Sequence, residues 1–129
     1  MIIVDSSVWI DYLNGKKTPE TKLLDEIMDS KIRIVINGLI YTEVLQGIKS
    51  DKEFEKIENT LKYFLMVKDD NFKVYQKAVA IYRNARKKGK TIRRTIDCII
   101  AATALIHGYK ILHKDSDYDL MEELKGHTI

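Results

Sequence analysis

An alternation between two hydrophobic periods constrains this chain more than anything else in it. Short β-branched and aliphatic runs, Ile2-Ile3-Val4, Arg33 to Ile36, Leu65 to Val67 and Tyr109 to Leu112, are separated by longer stretches whose apolar residues recur at helical spacing. Strands that alternate with helices must be joined by crossovers, so the sheet they form is mostly parallel and covered on both faces. The predicted class is α/β, a compact doubly wound sandwich.

Local punctuation agrees with that reading. Ser7 to Leu13 reads as a short helix closed by Gly15. Thr18-Pro19-Glu20 supplies a cap, a first-turn proline and an early acid for a helix running to about Asp29. Asn37 caps a helix carrying Ile40, Val44 and Ile48, and Asp51 opens one with Phe54, Ile57 and Leu61 on a single face. Asp70 is expected to cap a helix whose core face holds Phe72, Tyr75, Val79 and Tyr82. Thr95 is expected to cap the helix from Ile96 to His107, which Gly108 stops. A last short helix is expected after Tyr118.

With 129 residues the chain suits one domain, 1–129, and can bury a core without a metal or disulfide staple. The lone cysteine, Cys98, precludes an internal disulfide and fits a reducing compartment. Cys98, His107, His113 and His127 show no zinc-ligand spacing. An acid interrupts the N-terminal apolar run at Asp5, unlike a signal peptide, and Cys98 to Ile106 is too short to span a bilayer. A cytoplasmic protein with no membrane partner is the expectation. The net charge of +3 is mild, but Arg83, Arg86, Lys87, Lys88, Lys90, Arg93 and Arg94 form a run with no acid among them.

Acids fall where a parallel sheet binds ligands, beyond the carboxyl ends of its strands. Asp5 directly follows the first strand, Glu43 lies early in the helix after the second, and Asp115 sits just past the fourth, with Asp117 two residues on. Asp97 lies in the first turn of an almost wholly apolar helix, and joins the others if that helix begins at the carboxyl edge of the sheet. Each acid also has an ordinary reading: Asp5 as a helix cap, Glu43 as a solvated helix residue, Asp97 as a complement to the helix dipole. Asp119 reads as turn chemistry. The Asp115-Ser-Asp117-Tyr-Asp119 stretch is not a calcium loop, because Leu120 and Gly126 stand where such a loop needs glycine and glutamate. Taken together, Asp5, Glu43, Asp97 and Asp115 repel one another unless a cation neutralises them, and hard oxygen ligands select Mg²⁺, with Mn²⁺ able to substitute. Without metal, such crowded carboxylates are expected to have raised pKa values.

Asp5-Ser6-Ser7-Val8-Trp9-Ile10 after a first strand resembles the opening of PIN domains, specifically of VapC toxins from VapBC toxin–antitoxin modules. The segment Arg94-Thr95-Ile96-Asp97-Cys98-Ile99-Ile100-Ala101-Ala102-Thr103-Ala104 is similar to their third-acid helix, and Ile111 to Tyr118 to their fourth-acid segment. Tyr41-Thr42-Glu43-Val44 occupies the place of their second acid. At Tyr118 the family more often has phenylalanine. The resemblance implies a PIN-like three-layer sandwich with a mostly parallel sheet of about four to five strands. It also implies a metal-dependent endoribonuclease, a VapB-type antitoxin that plugs the site, homodimers, and higher-order complexes with the antitoxin. Transfer RNA is the first substrate class it suggests, with ribosomal and messenger RNA open.

On this reading Asp5, Asp97 and Asp115 hold one or two Mg²⁺ ions, and Glu43 is a ligand or a base for the attacking water. Asp117 is a secondary ligand, and Ser7 either orients Asp5 or caps the first helix. The basic run from Arg83 to Arg94 is a candidate contact for RNA phosphates or else a solvated surface. Trp9 reads as core or dimer contact. Two other classes compete: a catalytically silent nucleic-acid or partner-binding module, and a phosphoacceptor receiver domain. The receiver wants adjacent acids after its first strand, and here Ser6 follows Asp5.

Overall fold

A computed structural model describes residues 1–68 and 71–129. Its strands are β1 (Ile2–Val4), β2 (Ile34–Ile36), β3 (Leu65–Met66) and β4 (Lys110–Leu112). Its helices are α1 (Ser6–Leu13), α2 (Pro19–Met28), α3 (Gly38–Gln46), α4 (Asp51–Leu61), α5 (Phe72–Lys87) and α6 (Thr95–His107). Every strand pair is parallel, in the order β3-β2-β1-β4, with Ile3 opposite both Val35 and Ile111. That order excludes the receiver topology, in which β1 lies between β2 and β3. Ile129 and His127 bond to Ile111 across the outer edge of β4, so the C-terminus adds a single bridge where a fifth strand would lie. Among the described residues no helix is long and apolar enough to cross a membrane.

The connections from β1 to β2 and from β2 to β3 step in one direction, while β3 to β4 returns to the far side of β1. Right-handed crossovers then place α1 to α4 on one face and α5 with α6 on the other. The packing agrees: α1 rests on α2 and α3, α3 on α4, and α5 runs along α6. β1 and β2 are buried throughout, and Trp9 fills the core against Phe64 at 5.1 Å and Tyr12 at 6.5 Å.

Most element edges follow their capping chemistry. The Thr18 and Thr21 side chains form a reciprocal capping box at α2, and Asn37 Oδ1 accepts from Ile40 N–H at 2.9 Å. Gly108 closes α6 at φ 72°, a left-handed position that costs other residues steric strain. Four expectations need correction. The cap expected at Asp70 lies outside the described residues, and Asn71 caps α5 through Oδ1 and the Lys73 N–H. Arg94, not Thr95, precedes α6 as its cap, without a side-chain bond. The last short helix is two 3₁₀ segments, Ser116–Leu120 and Glu122–Leu124; the first begins before Tyr118 because Asp115 caps it.

The fourth correction is the face of α5. Val74, Ala78, Ile81 and Ala85 are buried, whereas Phe72 is 71% and Val79 58% exposed. The helix carries two apolar stripes at helical spacing, and the one with alanines faces α6, itself lined by buried Ala101, Ala102 and Ala104. Small residues let the two helix axes approach closely, so the bulky stripe is left outside.

Candidate metal centre

The carboxyl ends of β1 and β4 adjoin at the point where the strand order reverses, where doubly wound sheets bind ligands. The Asp5 N–H donates to Leu112 O at 2.9 Å, tying the two strand ends together. Asp5 is 1% exposed and caps α1 through Oδ2, which accepts from the Ser7 N–H at 3.1 Å and from the Ser7 hydroxyl. Its other oxygen accepts from the Tyr118 hydroxyl at 2.7 Å. Burial, followed by the charges of Asp5 and Asp97, raises the Tyr118 pKa well above its ordinary value, so the phenol stays a donor. The cap reading of Asp5 is therefore realised at the sheet edge where the other acids lie, and Ser7 orients Asp5 rather than capping the helix itself.

Glu43 projects from α3 toward α1 and α6. Ser6 Oγ donates to Glu43 Oε1 at 2.9 Å, and Arg94 Nη2 bonds to Glu43 Oε2. This is not a solvated helix residue. Burial works against the Arg94 charge, but Asp97, Glu43 and Asp5 outweigh it and raise its pKa.

Asp97 is the decisive member. α6 begins at the carboxyl edge, which places Asp97 among the other acids, 1% exposed, with neither carboxylate oxygen hydrogen-bonded among the described residues. The nearest cation, Arg94 Nε, stands 3.9 Å from Oδ1, beyond hydrogen-bond reach. Burial first, then the charges of Asp5, Asp115 and Glu43, lift the Asp97 pKa from 3.8 to about 7, with Arg94 opposing. A buried carboxylate without donors is costly in isolation, and its chemistry is that of a cation ligand.

One oxygen each from Asp97, Asp115 and Asp117 lies within 4.8 Å of the other two. Sequence reasoning ranked Asp117 as secondary, yet it belongs to this tight trio and Asp5 stands beside it. Asp115 Oδ1 accepts from the Asp117 N–H at 2.9 Å. Asp117 accepts from the backbone N–H of Arg93 at 3.0 Å and from its Nε at 3.2 Å. Burial pushes the Asp117 carboxyl up, but these bonds and the Arg93 charge prevail and hold it below its ordinary value. Asp119 is exposed, as turn chemistry required.

The basic run divides. Arg93 and Arg94 pair with the acid cluster, Arg93 from an exposed position and Arg94 from a half-buried one, and Lys88 pairs with Glu122. Arg83, Arg86, Lys87 and Lys90 are exposed, with Arg86 lying 5.8 Å over the Tyr82 ring. Residue order gave no sign of the Tyr118 and Ser6 contacts, nor of Lys114 reaching the buried Asp11, because each joins elements distant in sequence.

A family model for the PIN domain matches residues 2–124. A VapC ribonuclease of Mycobacterium bovis and ribonuclease VapC11 of Mycobacterium tuberculosis are each 30% identical over 125 residues, covering 96% of this chain and 93% of theirs. Solved structures share the fold, among them these two. A toxin–antitoxin complex from Klebsiella pneumoniae has a TM-score of 0.73 at 17% identity, covering 100% of this chain and 96% of that one. FitAcB from Neisseria gonorrhoeae has a TM-score of 0.70 at 19% identity, covering 95% and 94%. With acids gathered at the switch point of a PIN-like sheet and relatives matched almost end to end, this chain belongs to the PIN domain family, in its VapC branch.

Proposed function

We propose that this chain, as one PIN domain, is a Mg²⁺-dependent endoribonuclease, the toxin of a toxin–antitoxin pair, with Asp5, Glu43, Asp97 and Asp115 as its catalytic acids. The observation that carries the reading is Asp97, buried without a hydrogen bond beside Asp115 and Asp117 and in the field of Asp5 and Glu43. Those residues fit a hard divalent cation, Mg²⁺ or Mn²⁺, because all are oxygen donors, and the nearby His113 ring is engaged with the Asp115 backbone carbonyl. When bound, such an ion supplies charge neutralisation at the phosphoryl group and a more acidic water.

The chain's own residues divide the remaining work. Asp5, Asp97 and Asp115 are the ligands, with Asp117 at the margin because the Arg93 backbone N–H and Nε already occupy it. Asp5 is held rigid by Ser7 and Tyr118, which preorganises its carboxylate. Glu43, on the α3 side of the cluster, accepts the proton of the attacking water. Arg83, Arg86, Lys87 and Lys90 attract the RNA backbone without reading its sequence. Transfer RNA is the first substrate to test.

A VapB-type antitoxin is the proposed partner; the Klebsiella relative in fold was solved as a toxin–antitoxin complex. Assembly as a homodimer in the cytoplasm completes the reading. The test is RNA cleavage by purified protein with Mg²⁺, with EDTA, and after Mg²⁺ is restored. Cleavage that EDTA abolishes and Mg²⁺ restores is expected. Folded protein that cleaves no RNA under any of the three conditions would leave a silent binding module.

A further inference from the structure

We propose that Arg94 is the resident counter-cation of the ion-free acid cluster, and that a divalent ion enters by displacing it. The inference rests on reading the cluster as a metal site. Arg94 reaches two acids from different elements, bonding Glu43 of α3 and standing 3.9 Å from Asp97 of α6. Its hold on Asp97 is purely Coulombic, which leaves both Asp97 oxygens open to an ion. The side chain is 42% exposed and makes no capping bond to α6, so it can swing outward without unwinding that helix.

The other charges around the cluster are fixed differently. Arg93 bonds both oxygens of Asp117 through Nε and stands 3.5 Å from Asp115 Oδ1 through Nη2, so it serves the Asp115–Asp117 side of the cluster and leaves Glu43 to Arg94. Asp5 accepts from the Ser7 N–H and from the Ser7 and Tyr118 hydroxyls, neutral donors that hold it without a cation from the chain. Arg94 is the exchangeable charge: a guanidinium and a doubly charged ion repel strongly at such short range, so the two compete for Glu43 and Asp97. The apparent ion affinity is then the intrinsic affinity reduced by the cost of evicting Arg94.

Calorimetric titration of the full chain with Mn²⁺, for wild type, Arg94→Gln and Arg94→Lys, tests this together with thermal melting in EDTA and in saturating Mg²⁺. Arg94→Gln is expected to bind Mn²⁺ about tenfold more tightly, since one opposing charge is gone. It is also expected to melt lower than wild type in EDTA and level with it in Mg²⁺. Arg94→Lys keeps the charge but cannot span both acids, and should fall between the two. In ¹⁵N spectra the Arg94 Nη–H resonance of the bond to Glu43, assigned by its loss in Arg94→Lys, should be protected in EDTA and exchange with water once Mg²⁺ is added. A protected resonance that Mg²⁺ leaves unmoved, or unchanged affinity in Arg94→Gln while wild type binds, overturns displacement alone. Folded wild type that binds no Mn²⁺ overturns the metal reading and this inference with it.

Discussion

Asp97 and Tyr118 carry opposite lessons about single residues. Asp97 was legible in sequence because an acid inside an apolar helix has few explanations. Tyr118 was not, because its bond to Asp5 spans the whole chain. An Asp97 pKa raised to about 7 means that folding favours its protonated form. The ion-free fold therefore carries no penalty from Asp97 below its ordinary pKa of 3.8 and loses stability as pH rises toward 7. Asp97→Asn should flatten that part of the pH–stability curve in EDTA, melt higher than wild type at neutral pH, and lose RNA cleavage. Urea unfolding across pH and an RNase assay check it; a wild-type pH slope retained in the variant would return Asp97 to an ordinary helix residue. Near pH 6, Mg²⁺ binding should also release a proton in wild type and none from this position in the variant. Tyr118→Phe removes one donor from Asp5, and is expected to cost about 1 kcal/mol in urea denaturation while cleavage persists. Loss of cleavage there would mean that the Tyr118 hydroxyl does more than orient Asp5.

At the scale of elements, sequence was most informative where chemistry marks an end and least where two faces compete. The capping box of α2 and the glycine closing α6 were readable because each satisfies backbone groups of its own helix. The inner face of α5 was not, because Phe72, Tyr75 and Val79 recur at the same spacing as Val74, Ala78, Ile81 and Ala85. Periodicity selects a helix and leaves the choice of stripe to the neighbour, and here α6 demanded small residues. The basic run straddles the end of α5, so one contiguous string of charges was split by the chain's turn into a group away from the acids and a pair, Arg93 and Arg94, bonded to them. Among the described residues no ion pair holds Arg83, Lys87 or Lys90. Changing these three to glutamine should weaken RNA binding with little effect on the single-turnover rate, and lower the salt slope by roughly 0.7 for each phosphate left unneutralised. Fluorescence anisotropy over a salt series measures it; an unchanged slope would make this end of α5 a solvated surface only.

For the molecule as a whole, the strand order matters more than any one strand, because the return of the chain from β3 to β4 creates the crevice where the acids meet. Alternation in the sequence implied a parallel sheet, but not its order, since strands three residues long carry too little pattern to specify their neighbours. The same return lays α5 across one outer face and leaves Phe72, Tyr75 and Val79 there, 71%, 43% and 58% exposed. Apolar residues contiguous along a helix are commonly a contact surface, and an isologous one lets the stripe pack on itself through a two-fold axis. That is where the proposed homodimer is expected to form, on the face opposite α1 to α4. Phe72→Glu with Val79→Glu places charge on the outer stripe only, so the core formed by Val74, Ala78 and Ile81 is left intact. Light scattering coupled to gel filtration should give a dimer for wild type and a monomer for the double variant, with unchanged circular dichroism. A double variant that stays dimeric would move the interface to another face, and a wild type that is monomeric at high concentration would remove the homodimer altogether.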